Sequence, residues 1–117
     1  MISSVDEARR LVSWAKYPPV GDRGLASAAA HTRYGRPKNV PDMMRQMNRD
    51  TLAIAQMETV AAVEAAEAIA AVNGIDALLI GPNDLSVSLG KPGHLDSPEE
   101  TRAIARIARA AKGTRQT

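Results

Sequence analysis

Two carboxylates follow closely on the two most apolar short runs of this sequence. Glu58 comes directly after Thr51-Leu52-Ala53-Ile54-Ala55-Gln56-Met57, and Asp84 follows the run from Ile75 to Ile80, within Gly81-Pro82-Asn83-Asp84-Leu85. If both runs are strands of one parallel sheet, the two residues stand at the C-terminal edge of neighbouring strands. Barrels and doubly wound sheets build their active sites on that edge. Neighbouring strands lie about 4.8 Å apart. Two carboxylates projecting from adjacent ends can then share one hard cation, with water and a substrate completing an octahedral shell. Position alone leaves two other readings open. Both groups would also complement helix N-termini, a preference of about 0.3–1 kcal/mol, and either could serve in general acid–base chemistry.

The remaining reactive residue types offer less. His31 and His94 are candidate bases, but both fit better as loop or surface residues. Arg23, within Gly21-Asp22-Arg23-Gly24, either borders a site or is tied to neighbouring carbonyls. Tyr17 reads as packing. No lysine follows a strand, which speaks against Schiff-base chemistry. The absence of cysteine excludes disulfides and thiolate metal sites and fits a reducing cytoplasm.

The elements that must position these groups read in order as helix, loops, strand, helix, strand, helix. Ser4-Val5-Asp6-Glu7 has the form of a capping box and predicts a helix from about Val5 to Ala15, with Leu11 and Ala15 facing inward. Two prolines and two glycines between Tyr17 and Gly24 impose an ordered turn, and Gly35-Arg36-Pro37-Lys38-Asn39 reads as a second loop. Pro41 suits the first turn of a short helix through about Arg49. Thr59 caps a predicted helix from Val60 to Val72, stopped by Asn73-Gly74. Ser97-Pro98-Glu99-Glu100 opens a last helix, with Ile104, Ile107, Ala108 and Ala111 as its buried stripe and Gly113 as its end. Two strands joined through a helix should be parallel, with a right-handed crossover. Their apolar character on both faces fits a sheet covered by helices or closed into a barrel.

Length and composition bound the rest. The 117 residues allow one domain at most, and its core leans on alanine, with one tryptophan, two tyrosines and no phenylalanine. Net charge is +2 and the pI about 9.3. Arg102, Arg106 and Arg109 fall on the predicted outer face of the last helix, and without interleaved aromatic residues they argue against nucleic-acid binding. No apolar run approaches the length a membrane helix needs, and the N-terminus lacks a signal-peptide layout.

The wording around the carboxylates narrows the readings. Gln56-Met57-Glu58-Thr59, then Gly74-Ile75-Asp76-Ala77-Leu78-Leu79-Ile80-Gly81-Pro82-Asn83-Asp84-Leu85-Ser86, resembles the class II 2-keto-3-deoxy acid aldolases. These are the HpcH/HpaI aldolase/citrate lyase type, which includes the 4-hydroxy-2-oxoheptanedioate aldolases. Lys16 to Gly24, and Leu89-Gly90 to Ser97-Pro98-Glu99, match the family as well. The resemblance implies an α/β fold, a (β/α)8 TIM barrel, and a divalent ion (magnesium, manganese or cobalt) held by Glu58 and Asp84. It implies a substrate-binding set of Gly81, Asn83 and Asp84, whose backbone amides would receive the pyruvate carboxylate, with Gln56 supporting the site from behind. Relatives carry alanine where Asn83 stands, which is tolerable if the backbone makes the contact. Asp22 replaces an apolar or basic residue, so the local charge there differs.

The implied chemistry is reversible aldol cleavage of a 4-hydroxy-2-oxo or 2-keto-3-deoxy acid to pyruvate and an aldehyde. The ion would act as a Lewis acid on the keto acid. A citrate-lyase-like or malyl-thioester lyase is the alternative within the same superfamily, and a non-catalytic assembly module the alternative outside it. The resemblance further implies that residues 1–117 are a central piece of one barrel domain, with about two parallel strands and flanking helices. The histidine base and the arginine clamp of the family would precede Met1. Arg115-Gln116-Thr117 does not read as the next strand. A homo-oligomer, with little or no activity of this chain alone, is the corresponding expectation.

Overall fold

The structure, a computed structural model, describes residues 1–26 and 28–113. The reading of Arg115 to Thr117 lies outside the described residues.

Helix α1 spans Val5–Ala15, and Ser4 Oγ caps it by accepting the Glu7 N–H at 3.2 Å. The reciprocal arm of the capping box lands one residue early, where the Ser3 N–H donates to Glu7 Oε2 at 2.6 Å. Ala8 and Val12 are its deepest positions, four residues apart, while Leu11 and Ala15 are half-buried. The following loop folds back onto α1. A Cβ on Gly21 would lie 2.5 Å from the carbonyl oxygens of both Lys16 and Val12, so this close approach requires glycine. A 3-10 turn at Ala30–Thr32 precedes α2, Val40–Asp50, which Asn39 Oδ1 caps by accepting the Asp42 N–H.

Strand β1 is Ile54–Met57 and β2 is Ala77–Ile80. They pair in parallel, with Ile54 opposite Ala77 and Met57 opposite Ile80. Both are shorter than the apolar runs that announce them, because the chain before each strand enters a polar knot. Asp76 exchanges bonds with Ala53: its N–H donates to Ala53 O at 2.9 Å, and Oδ2 accepts the Ala53 N–H at 2.7 Å. The buried Lys16 ammonium donates to Asp76 Oδ2 at 2.9 Å, to Asn48 O at 3.0 Å and to Thr51 O. Burial pushes the Asp76 carboxyl up, but the Ala53 N–H and Lys16 together outweigh it and hold it below its ordinary value. Asn48 adds a two-way amide clasp on the Tyr17 backbone.

The helix expected over Val60 to Val72 is broken. Thr59 caps it as expected, accepting the Ala62 N–H, but the chain forms α3 (Val60–Glu64) and α4 (Ala66–Ala70) around a non-helical Ala65. Arg106 Nη2 donates to the Glu64 carbonyl at the break, at 2.8 Å. A side chain that takes a carbonyl from the helical ladder is a recognised cause of such kinks. Arg106 also grips both Glu67 oxygens, so it joins two helices rather than lying on a solvated face, whereas Arg102 and Arg109 are exposed. Helix α5 (Pro82–Ser88) and a loop lead to α6 (Pro98–Gly113). The buried stripe of α6 is Glu100, Ala103, Ile107 and Ala110; of the expected Ile104, Ile107, Ala108 and Ala111 only Ile107 lies on it. Ile104 and Ala111 are half-buried and Ala108 is exposed. A turn of one residue about the axis separates the two stripes, and alanines on several faces left the choice to packing against α4 and β2.

The core lies on one side of the sheet. Ala55 and Met57 are buried, with Leu78 and Ile80 packed beside them, against Ala62, Ala66, Ile69 and Ile107. On the other side Ile54 is 45 % and Leu79 52 % exposed. The expectation of apolar cover on both faces is thus met on one face only, as for two strands cut from a barrel wall. Along the outer edge of β1, the Ile2 N–H donates to Gln56 O at 2.8 Å. No helix among the described residues is long and apolar enough to cross a membrane.

Candidate functional site

The parallel register carries Glu58 and Asp84 to the same end of the sheet. One further rung, Gly81 N–H to Met57 O at 3.1 Å, extends the pairing past the last strand residues and sets Glu58 beside Gly81. Glu58 is only 7 % exposed. Its Oε2 accepts from Gln56 Nε2 at 2.7 Å, and its Oε1 lies 4.0 Å from the Met1 ammonium. Oε1 accepts no hydrogen bond among the described residues. A carboxylate so nearly buried favours positive charge nearby, which the ammonium of the exposed Met1 supplies only loosely, at 4.0 Å and without a hydrogen bond.

Asp84 sits in the first turn of α5, exposed, with no hydrogen bond or ion pair among the described residues. The Leu85 N–H bonds back to Gly81 O, and Pro82 has no N–H. The Asn83 and Asp84 amides are therefore the open donors of this turn. The Gly81 N–H, expected among the groups receiving a substrate carboxylate, is committed to Met57 O and drops out of that set. Asn83 is exposed, and its carbonyl accepts from the buried Ser86 hydroxyl, which in turn accepts the Gly93 N–H and so anchors the next loop.

The other candidates lie elsewhere. Arg23 stacks over the ring of Tyr17 with its guanidinium carbon 4.9 Å from the centroid, and its N–H bonds to Lys16 O. Lys16 in turn grips Thr51 and Asp76, which precede the two strands, so this loop belongs to the edge opposite Glu58 and Asp84. Tyr17 is buried, as packing requires, although its hydroxyl has no partner among the described residues. His31 lies in the 3-10 turn and the exposed His94 in the loop before α6. A cavity of about 640 Å³ beside Gly74, Asp76 and Gly113 also opens at the opposite edge.

Sequence reasoning missed Glu100. It is fully buried, neither carboxylate oxygen has a partner among the described residues, and burial pushes its carboxyl up from the ordinary value. Its signal was present in the i, i+3, i+7 spacing with Ala103 and Ile107, which puts a glutamate on the apolar stripe.

No group of three or more histidine, cysteine or acidic side chains among the described residues could enclose an ion. Two carboxylates without nitrogen or sulfur donors instead suit a hard divalent ion that keeps most of its shell as water or substrate oxygen. Glu58 Oε1 and the Asp84 carboxylate are the two acidic groups at this end of the sheet that could hold it. The residues present fit such an ion.

Comparisons with known proteins bear on the family and the fold. The sequence profile of the HpcH/HpaI aldolase/citrate lyase family matches residues 1–116. A 2-keto-3-deoxy-L-rhamnonate aldolase of Salmonella paratyphi B is 42 % identical over 105 residues, which are 89 % of this chain and 38 % of that protein. The structure overlays that of an HpcH/HpaI aldolase/citrate lyase family protein from Burkholderia cenocepacia with a TM-score of 0.88 at 32 % identity, covering 97 % of this chain and 45 % of that one. It overlays the HpcH/HpaI aldolase of Desulfitobacterium hafniense with a TM-score of 0.86 at 34 % identity, covering 97 % and 43 % respectively. The chain thus spans well under half the length of the relatives it matches. With a family profile matched almost end to end and a two-stranded piece of the same barrel in hand, the chain belongs to the HpcH/HpaI aldolase/citrate lyase family.

Proposed function

We propose that this chain supplies the metal-binding edge of a carbon–carbon lyase that reversibly cleaves a 4-hydroxy-2-oxo or 2-keto-3-deoxy acid to pyruvate and an aldehyde. One observation carries the reading: Glu58 is buried at the end of β1 with one oxygen fixed and one open, and Asp84 stands free at the end of the adjoining strand. A bound magnesium, manganese or cobalt ion would supply a Lewis acid for the oxygens of the keto acid. The chain's own contribution is to orient. Gln56 holds the Glu58 carboxylate, and the open Asn83 and Asp84 amides offer donors to a substrate carboxylate.

No histidine or arginine side chain hydrogen-bonds or ion-pairs with Glu58, Gln56 or Asp84 among the described residues, so this set does not transfer the proton by itself. We therefore expect the 117-residue chain to bind the ion and to turn substrate over little or not at all. A cytoplasmic homo-oligomer fits the cysteine-free composition and the uncovered surface. The radius of gyration is 17.0 Å, against about 13 Å for a compact chain of this length. Helix α2 buries no residue, and Tyr34 and Leu25 are exposed in the segment before it. The same surface favours a second reading, an assembly module without catalysis.

Electron spin resonance of Mn²⁺ with the purified chain separates the two. Binding that pyruvate alters, and that a Glu58→Ala/Asp84→Ala variant loses, supports the lyase edge. Binding that is absent or indifferent to the variant, with assembly unaffected by metal, supports the module.

A further inference from the structure

We infer that Gly81 is a positioning residue for Glu58, leaving the space in which Gln56 holds one carboxylate oxygen while the other stays open for a cation. The purpose of this arrangement rests on the metal-binding reading above, and its content rests on geometry. A Cβ on Gly81 would lie 2.4 Å from Glu58 Oε2, 3.1 Å from Glu58 Cβ and 3.3 Å from Gln56 Nε2. The first distance is far inside van der Waals contact. The carboxylate has little freedom to yield, because it is almost fully buried and its Oε2 is the atom bound to Gln56.

Backbone conformation does not explain the glycine. Its φ of −99° and ψ of 86° are open to other residues. It is also the N-cap of α5, where serine, threonine, asparagine or aspartate would accept a free amide of the first turn. The position forgoes that cap and keeps no side chain at all. The Gly81 N–H is fixed on Met57 O, so the backbone cannot slide away to admit a Cβ without breaking the last rung of the sheet. Space for the Glu58 carboxylate is the remaining demand at this position. Any side chain here would press on Glu58 Oε2 and Gln56 Nε2 together and displace the carboxylate from its hold. Gly81 acts through Glu58 and touches neither ion nor substrate.

The test is a thermal and metal-binding cycle on the 117-residue chain with Gly81→Ala, Glu58→Ala and the double variant. Unfolding is followed by circular dichroism and Mn²⁺ binding by electron spin resonance. Gly81→Ala should lower Tm by about 4 °C or more and weaken Mn²⁺ at least tenfold. In the Glu58→Ala background the same change should cost less than half as much in Tm, since the obstructing oxygen is gone. Equal Tm losses in both backgrounds, or unchanged Mn²⁺ affinity in Gly81→Ala, would overturn the inference. If Gly81→Ala does not fold, recovery of a folded spectrum in the double variant supports the coupling, and failure of the double variant as well overturns it. A wild-type chain that binds no Mn²⁺ refutes the metal reading alone, and the thermal coupling still decides whether Gly81 sets Glu58.

Discussion

Replacing Glu100 with leucine should make this protein more stable, and by an amount that depends on pH. Glu100 is sealed from solvent on the inner stripe of α6 between Ser97 and Ala103, and neither oxygen finds a donor among the described residues. A buried polar group left without a partner costs about 1–3 kcal/mol, and more when charged. Glu100 lies beneath a thin layer of a small fold, so the lower part of that range applies, about 1–2 kcal/mol. Leucine has similar volume and needs no donor. Burial raises the Glu100 carboxyl, so the folded chain prefers the protonated form. Its contribution is therefore most favourable below the unfolded carboxylate value and is lost as pH rises through the raised one. Thermal unfolding of both proteins between about pH 4 and pH 8 reads this directly. Leucine should gain about 3–6 °C at neutral pH, and the gap should narrow toward pH 4. Asp76 and Glu67, whose carboxyls are held low, give stability that is present at neutral pH and lost in acid, but they do so equally in both proteins. The difference curve therefore isolates Glu100. A leucine variant less stable at neutral pH, or a gap that does not change with pH, would show that Glu100 has a partner or an exit to solvent.

Two further changes test the framework beneath the site. Lys16→Met should destabilise by about 2–3 kcal/mol in urea unfolding, less than for a fully buried pair because Asp76 is partly exposed; a loss under about 0.5 kcal/mol would mean the knot before the strands contributes little. The same variant should lessen the Asp76 part of the acid sensitivity, since the Ala53 N–H and Lys16 together hold that carboxyl low and only Lys16 is removed. Gly21→Ala places a Cβ against the carbonyls of Lys16 and Val12 and should cost about 1–3 kcal/mol, whereas Gly24→Ala, with open space around it, should cost under about 1 kcal/mol; similar losses at the two positions would count against the close approach at Gly21.

How much of this was legible in the sequence follows from how local each cause is. Ser4 and Thr59 bond to amides three residues away, so their helix starts could be read from neighbouring letters, although Glu7 reached Ser3 rather than Ser4. Pro41 marked the first turn of α2, whose cap, Asn39, reads in the sequence only as part of a loop. The two strands and their parallel pairing were equally readable, since an apolar run, a capped helix and a second apolar run leave little else. The break at Ala65 was not, since the contact found there comes from Arg106, some forty residues along the chain. Nor was the rotation of α6, whose alanines made neighbouring stripes look alike. The partners of Lys16 were hidden for the same reason: all three lie more than thirty residues away.

The site divides along the same line, and that division bears on function. Within the sheet, Glu58 is shaped by Gln56 on the same strand and Gly81 across the last rung; the one distant contact is the Met1 ammonium, 4.0 Å from Oε1. Asp84 needs only the first turn of α5. On the proposed reading, a cation edge of this kind would need only the pairing of β1 and β2. Proton transfer and a clamp on the substrate carboxylate need side chains that these local elements do not bring close, as the placement of Arg23, His31 and His94 shows. Metal binding and turnover should therefore separate in this chain. An ion held by Glu58 and Asp84 without lyase activity is the behaviour its geometry calls for, and activity without those two carboxylates would contradict it.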